Sequence, residues 1–321
     1  MNNEKNLTAK ETFELAIKNH QNNNLQDAQN FYQKVLEIDP NHENAHNNLG
    51  AIFNTLGDYQ KAKDFFEKVI EINPDHLDAN NNLGAIFNTL GDYQKSKDYY
   101  EKVLEINPNH ENAHTNLGVT FTCLREYQKA ISYYKKAIKI NPNHTVAHYN
   151  LGVVFKKLGE HQKTKDCYEK VIAINPNHSD AQYNLGTIFH ELGDHQKAKA
   201  CYEKVIEINP NHVDAHNNLG AIFITLGKYQ KAKDFFENAI ELNPNHANAH
   251  NNLGIILINL KEYRKAKTCF EKAVELDPLS KQYMTSYGNI LLLLGNLLKG
   301  YEYISKGEGV IKFTPLYCKV I

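Results

Sequence analysis

The sequence predicts an all-α chain, a solenoid of stacked antiparallel helix pairs, and three observations carry that prediction. Eight of the nine prolines, Pro40, Pro74, Pro108, Pro142, Pro176, Pro210, Pro244 and Pro278, stand 34 residues apart. The stretch NNLGAIFNTLGDYQK begins at Asn47, recurs unchanged at Asn81 and returns at Asn217 as NNLGAIFITLGKYQK. Within each period the apolar residues follow a helical rhythm twice. Self-similarity of this kind marks an array in which a unit too small to bury its own apolar face stacks on its neighbours.

The copy from Glu43 to His76 serves as a template for the elements. Ala45, Leu49, Ile52, Phe53 and Leu56 fall at the spacing of one buried helical stripe. Gly57 ends this first helix, and Gly91, Gly159, Gly193 and Gly227 supply the same left-handed cap, whereas Arg125 and Lys261 depart from it. Ala62, Phe66, Val69, Ile70 and Ile72 make the stripe of a second helix. Asn73-Pro74 stops it, because proline lacks the N–H a helix needs and restricts the residue before it. Gly50 sits mid-helix, where glycine costs about 1 kcal/mol relative to alanine, yet each later copy keeps one. A missing side chain there is expected to let the second helix approach, with Ala62 facing it. Asn41, Asp75, Asn109 and the equivalent asparagines after each proline are expected to cap the next first helix.

A pattern of Leu49, Gly50, Phe53, Ala62, Phe66 and Pro74 on a 34-residue period resembles the tetratricopeptide repeat, over nearly the whole chain. On that resemblance residues 43–280 hold seven well-formed copies, 9–42 a divergent first copy and 281–314 a degenerate last one. Residues 1–8 form an N-terminal tail and 315–321 an apolar C-terminal tail. The chain departs from the family where tryptophan is frequent, placing His46, Asn80, His114, His148, Gln182, His216 or His250 there. The resemblance implies a right-handed superhelix whose first helices line a concave groove, and a non-enzymatic scaffold that binds a partner protein or an extended peptide.

Charge and composition narrow the partners. The net charge is −1, from 36 basic and 37 acidic residues, and Arg125 and Arg264 are the two arginines. Phosphate neutralisation dominates nucleic-acid affinity, and arginine is the side chain best suited to it, so no nucleic-acid partner is expected. The polar N-terminus has no apolar core of a signal sequence, and Ile290–Leu298 is about half the length a membrane crossing needs. No membrane association is expected, and the default location is cytoplasmic. Oligomeric state is open.

On the face opposite the buried stripe lie Asn44, Asn47, Asn48, Ala51, Asn54 and Thr55. One of these positions is uniform: Asn48, Asn82, Asn116, Asn150, Asn184, Asn218 and Asn252 repeat at all seven well-formed copies. The neighbouring position varies freely, from Asn54 and Thr122 to Lys156, His190 and Ile224. An amide offers both a donor and an acceptor and so can pair with an extended peptide backbone irrespective of sequence. The ladder resembles that of the repeat region of O-GlcNAc transferases, where asparagines at this position hold substrate polypeptides, which implies the same role here. Tyr149 and Tyr183 replace the first Asn of the pair, beside Lys156, and make the central segment the expected anchor. Solvent-exposed asparagines copied with their repeat, and ordinary exposed tyrosines, are the structural alternatives.

Twelve of the 16 histidines fall on two repeat positions and make five HxxxH pairs, such as His42/His46 and His110/His114. Such a pair can chelate a metal, but no copy adds the further ligands of a site. The second His is expected to fill space between repeats and donate one ring N–H locally. Cys167, Cys201 and Cys269 occupy a position held elsewhere by Phe or Tyr and read as packing residues. No phosphate loop, nucleophile elbow or isolated carboxylate pair is present, and no cofactor is expected. The last copy is apolar and runs into strand-like Val310–Phe313 and Tyr317–Ile321, a tail expected to fold over the open end or dock elsewhere. The alternative to a free-standing scaffold is the targeting arm of an enzyme such as a glycosyltransferase or oxygenase, whose catalytic domain is lost, truncated or separate.

Overall fold

The structure, a computed structural model, describes residues 7–308 and the backbone of 311–314 and 317–320. The N-terminal tail to residue 6, Val310 and Ile321 lie outside the described residues. The helices come in consecutive pairs: α1 (Ala9–Gln21) with α2 (Leu25–Ile38), α3 (Glu43–Thr55) with α4 (Tyr59–Ile72), and α5 (Leu77–Thr89) with α6 (Tyr93–Ile106). Next come α7 (Glu111–Cys123) with α8 (Tyr127–Ile140), α9 (Thr145–Lys157) followed by α10 (His161–Ile174), and α11 (Ser179–Glu191) with α12 (His195–Ile208). The series closes with α13 (Val213–Thr225) and α14 (Tyr229–Leu242), α15 (Ala247–Asn259) and α16 (Tyr263–Leu276), and α17 (Lys281–Leu293) and α18 (Leu297–Glu308). Two short strands, β1 (Ile311–Thr314) and β2 (Tyr317–Val320), pair antiparallel with Ile311 opposite Val320. The all-α solenoid expected from the repeat is thus the architecture, and α17 and α18 occupy most of the last expected copy.

The chain divides into two compact units, residues 1–167 and 168–321, with the division inside α10. Within each unit a first helix packs on its own second helix, and that second helix packs on the first helix of the next pair. Consecutive first helices also touch, as α3 does α5 and α5 does α7 in the first unit, and α13 does α15 in the second.

Each pair is closed by local chemistry. Gly57 has φ +79°, and the N–H of Asp58 reaches back to the carbonyl of Phe53 at 2.9 Å, the bond that ends a helix in a left-handed residue. Arg125 and Lys261 adopt the same conformation, φ +60° and +63°, without glycine. Their departure is therefore one of sequence alone: the turn holds its shape and the backbone bears the strain of carrying a Cβ at positive φ.

Three further expectations are corrected. The first helices are capped by the histidine one residue after the expected cap, with His42, His76, His110, His144, His178, His212 and His246 each accepting the N–H three residues on. The asparagine after the proline instead gives its N–H to the residue before the proline, as Asn109 does to Asn107 Oδ1 at 3.1 Å, so the tight turn uses it first. The space beside Gly50 belongs to Phe66 and not to Ala62: a Cβ on Gly50 would lie 2.8 Å from the Phe66 ring. Phe66 is fully buried there, a burial worth about 1.5–3 kcal/mol. Leu56, expected in the buried stripe, is 58% exposed because it is the C-cap residue where the chain turns away.

Candidate functional site

The seven asparagines stand at equivalent points midway along α3, α5, α7, α9, α11, α13 and α15, and all are half-buried. Four of them, Asn48, Asn82, Asn116 and Asn150, belong to the first unit and three, Asn184, Asn218 and Asn252, to the second. Each stands one residue before a buried leucine of the stripe, Leu49 being fully buried beside Asn48, so the helix turn puts the amide at the edge of the packed layer.

The amides are linked along the array. Asn116 donates through Nδ2 to Asn81 Oδ1 at 3.5 Å, Asn218 to the Tyr183 hydroxyl at 3.2 Å and Asn252 to Asn217 Oδ1 at 3.1 Å. In each case the acceptor lies 35 residues earlier, on the first helix of the preceding pair. Asn48 donates instead to the Tyr32 hydroxyl of α2 at 3.1 Å. One N–H of these amides is thereby committed to a neighbour, and the amide inventory leaves a second N–H and carbonyl lone pairs. Sequence reasoning missed these rungs, because a 35-residue spacing joins one repeat position to a different one.

Tyr149 and Lys156 are half-buried on α9 in the first unit, and Tyr183 is half-buried on α11 in the second. Tyr183 is held by structure: its ring stacks on His212 with centroids 4.9 Å apart, its hydroxyl accepts from Asn218, and burial pushes its pKa up.

The histidines are absorbed by the turns between pairs. Because the capping His accepts through Nδ1, its Nε2 carries the proton, and that N–H reaches the preceding first helix. His144 donates to Asn112 Oδ1 at 3.1 Å and His246 meets Asp214 Oδ1 at 3.0 Å. The second His of each pair donates Nε2–H to the carbonyl of the preceding proline, as His46 does to Pro40 and His114 to Pro108, both at 2.9 Å. His46 also lies against Phe65 and His114 against Tyr133. Both halves of an HxxxH pair are therefore employed locally, and no group of three or more potential metal ligands occurs among the described residues. Burial raises the thiol pKa of Cys167, Cys201 and Cys269 to about 11, which suits packing and not nucleophilic chemistry.

Family models of the tetratricopeptide repeat match residues 19–42, 43–76, 75–143, 145–178, 179–212, 213–246 and 247–278. The chain belongs to the tetratricopeptide repeat family. Such repeats imply a protein-interaction scaffold. No curated protein matches this tetratricopeptide repeat chain in sequence. Among solved structures it is similar to YrrB, whose crystal structure is described as that of a TPR protein with an unusual peptide-binding site, at 24% identity and TM-score 0.52, over 58% of this chain and 95% of that one. A tetratricopeptide repeat protein from Parabacteroides merdae is 18% identical with TM-score 0.58, over 78% of this chain and 98% of its own. The pilF protein of Pseudomonas aeruginosa is 20% identical with TM-score 0.54, over 60% and 88%. At these identities the likeness is one of fold. Among the described residues no helix is long and apolar enough to cross a membrane.

Proposed function

We propose that this tetratricopeptide repeat chain is a non-enzymatic scaffold that binds a partner protein or an extended peptide along the first-helix faces carrying Asn48, Asn82, Asn116, Asn150, Asn184, Asn218 and Asn252. The observation that supports this most is the uniform half-burial of these amides on first helices that touch one another within each unit. A half-buried amide is shielded enough for its hydrogen bonds to count and open enough to meet a ligand. A peptide carbonyl or N–H entering beside Asn116, Asn218 or Asn252 exchanges like for like with a rung, so these three amides stay paired until a partner arrives. YrrB, named for a peptide-binding site, offers an analogy for a repeat array in this role. Tyr149, Tyr183 and Lys156 add side-chain discrimination within their own units.

The test is capture of peptides from an array by the full chain and by a variant carrying Asn116→Ala, Asn150→Ala and Asn184→Ala. Each lost hydrogen bond is worth about 0.5–1.5 kcal/mol, so three together are expected to weaken capture by at least about tenfold with helical content unchanged. Capture undiminished in the variant removes the amide ladder from recognition.

A further inference from the structure

A second surface, on the other side of the first helices from the amides, differs sharply between two consecutive pairs. His114 is two residues before Asn116, about 200° around the helix, and it lines a concavity of about 700 Å³ with Asn109, Tyr133, Lys136 and Lys139, walled by Leu104 and Ile140. One period earlier the equivalent positions, Asn80, Tyr99 and Lys102, line a hollow of about 350 Å³ together with Asp98. In that earlier hollow the lysine is neutralised. Lys102 pairs with Asp75 at 2.9 Å and with Glu105 at 3.7 Å, and these partners raise its pKa.

The corresponding lysine, Lys136, has lost both partners. Asp75 corresponds to Asn109 and Glu105 to Lys139. Asp98 and Glu101 likewise correspond to Ser132 and Lys135, so α8 carries Lys129, Lys135, Lys136 and Lys139 and no acidic residue. Lys129 pairs with Glu126. Among the described residues Lys135, Lys136 and Lys139 enter no ion pair, although the lysine at this position meets the glutamate three residues on in α4, α12 and α16, at 2.8, 2.7 and 3.0 Å. Lys136 instead rests over the Tyr133 ring, 4.8 Å from its centroid, and all three lysines are exposed. Two acidic positions, those of Glu101 and Glu105, thus reverse sign in this one pair, with Lys139 lining the concavity, while Asn109 is the residue that most copies carry where Asp75 stands. Like charges three apart on a helix repel, so this arrangement costs the free chain something that an incoming anion would relieve.

We propose that this concavity docks an acidic segment of a partner protein, with carboxylates on Lys136 and Lys139 and an aliphatic side chain against Leu104 and Ile140. The apolar wall argues for a peptide over a simple anion. Three lysines without arginine argue against a nucleic-acid backbone, which needs a longer track of bidentate contacts. This site is separate from the asparagine face and does not rest on it.

Fluorescence anisotropy of the full chain with a short dye-labelled peptide of glutamates flanking one leucine tests the proposal. Binding is expected that weakens with salt and drops about tenfold or more, roughly 1.4 kcal/mol, when glutamine replaces the glutamates. The variant Asn109→Asp with Lys139→Glu rebuilds the ion pairs of the earlier hollow, so it is expected to melt no lower than the parent while losing the same affinity. Asn116→Ala with Asn150→Ala is expected to leave this binding intact. Equal affinity of the Asn109→Asp, Lys139→Glu variant or of the glutamine peptide overturns the proposal. So does loss of binding in the asparagine variant, displacement by equimolar inorganic phosphate, or tighter binding of a single-stranded oligonucleotide.

Discussion

The pairs α5/α6 and α7/α8 follow one plan, sit next to each other in one unit, and differ in a way that separates what the repeat needs from what it can vary. Their interiors share the packing of a large ring on a helix glycine, although the buried Ile86, Ser96 and Val103 of the first give way to Thr120, Ala130 and Ala137 in the second. Leu83 and Leu117 are fully buried, Tyr100 and Tyr134 nearly so, and each tyrosine ring lies against a glycine of its own first helix. Their rims diverge, Gly91 against Arg125, Asp75 against Asn109 and Glu105 against Lys139, and so does one buried polar position, Asn80 against His114. Packing density penalises change inside, whereas a solvated charge swap costs little. Specialisation of one pair therefore appears as charge and cap chemistry laid over a shared glycine–tyrosine contact.

The strongest way to break this comparison is to disturb the shared interior. A Cβ at Gly84 would lie 2.7 Å from the Tyr100 ring and one at Gly118 2.5 Å from the Tyr134 ring. Gly84→Ala and Gly118→Ala are each expected to destabilise by about 1–3 kcal/mol through overpacking, despite the gain of about 1 kcal/mol in helix propensity. Urea denaturation followed by circular dichroism measures both. A neutral result at one and a large loss at the other would mean that the two interiors are not equivalent.

A smaller effect is expected at the turns, where the pairs differ. Gly91 has φ +81° and Arg125 φ +60°. A left-handed residue with a side chain costs about 1–2 kcal/mol, partly offset by the greater entropy glycine loses on folding. Arg125→Gly is expected to raise stability by about 0.5 kcal/mol, and Gly91→Arg to lower it by at least as much. Thermal melting of the two variants sharpens the comparison, because opposite signs place the whole difference in the turn backbone.

Much of this frame was legible in the residues. Prolines every 34 positions gave the period, the spacing of Leu49, Ile52 and Phe53 gave the first helix, and Gly57 gave its end. What escaped were features that depend on one repeat meeting another, or on a residue outside its usual part. Histidine is not among the usual N-caps, so the sequence points to Asn41 in place of His42, whose Nδ1 accepts the Ala45 N–H at 3.2 Å. Phe66 and not Ala62 fills the space at Gly50, because a ring reaches across the interface where a methyl does not. The uniformity of the asparagines was visible, but their bonds to the preceding pair were not. The loss of acids around Lys136 stood in the sequence too, and gained meaning once Asp75, Lys102 and Glu105 were seen together in space.

The smallest expected effect follows from His114, which the preceding pair replaces with Asn80. Burial lowers the His114 pKa from its ordinary value, with Lys136 and His110 adding to the shift and the hydrogen bond to the Pro108 carbonyl opposing it. Nδ1 of His114 is buried with no hydrogen-bond partner among the described residues, so protonation there would bury an unpaired N–H. The folded chain thus holds fewer protons at this site than the unfolded chain once the pH falls below about 6.5. The His114 contribution is constant above that pH and turns destabilising as the pH drops through it. Asn80 already spans the same gap with its amide, donating to the Pro74 carbonyl at 3.0 Å, so His114→Asn keeps the Pro108 contact and removes the titration. Denaturation midpoints at pH 7.5 and pH 5.5 are expected to fall less in His114→Asn than in the parent, whereas an unchanged difference would show that this histidine takes up its proton as easily folded as unfolded.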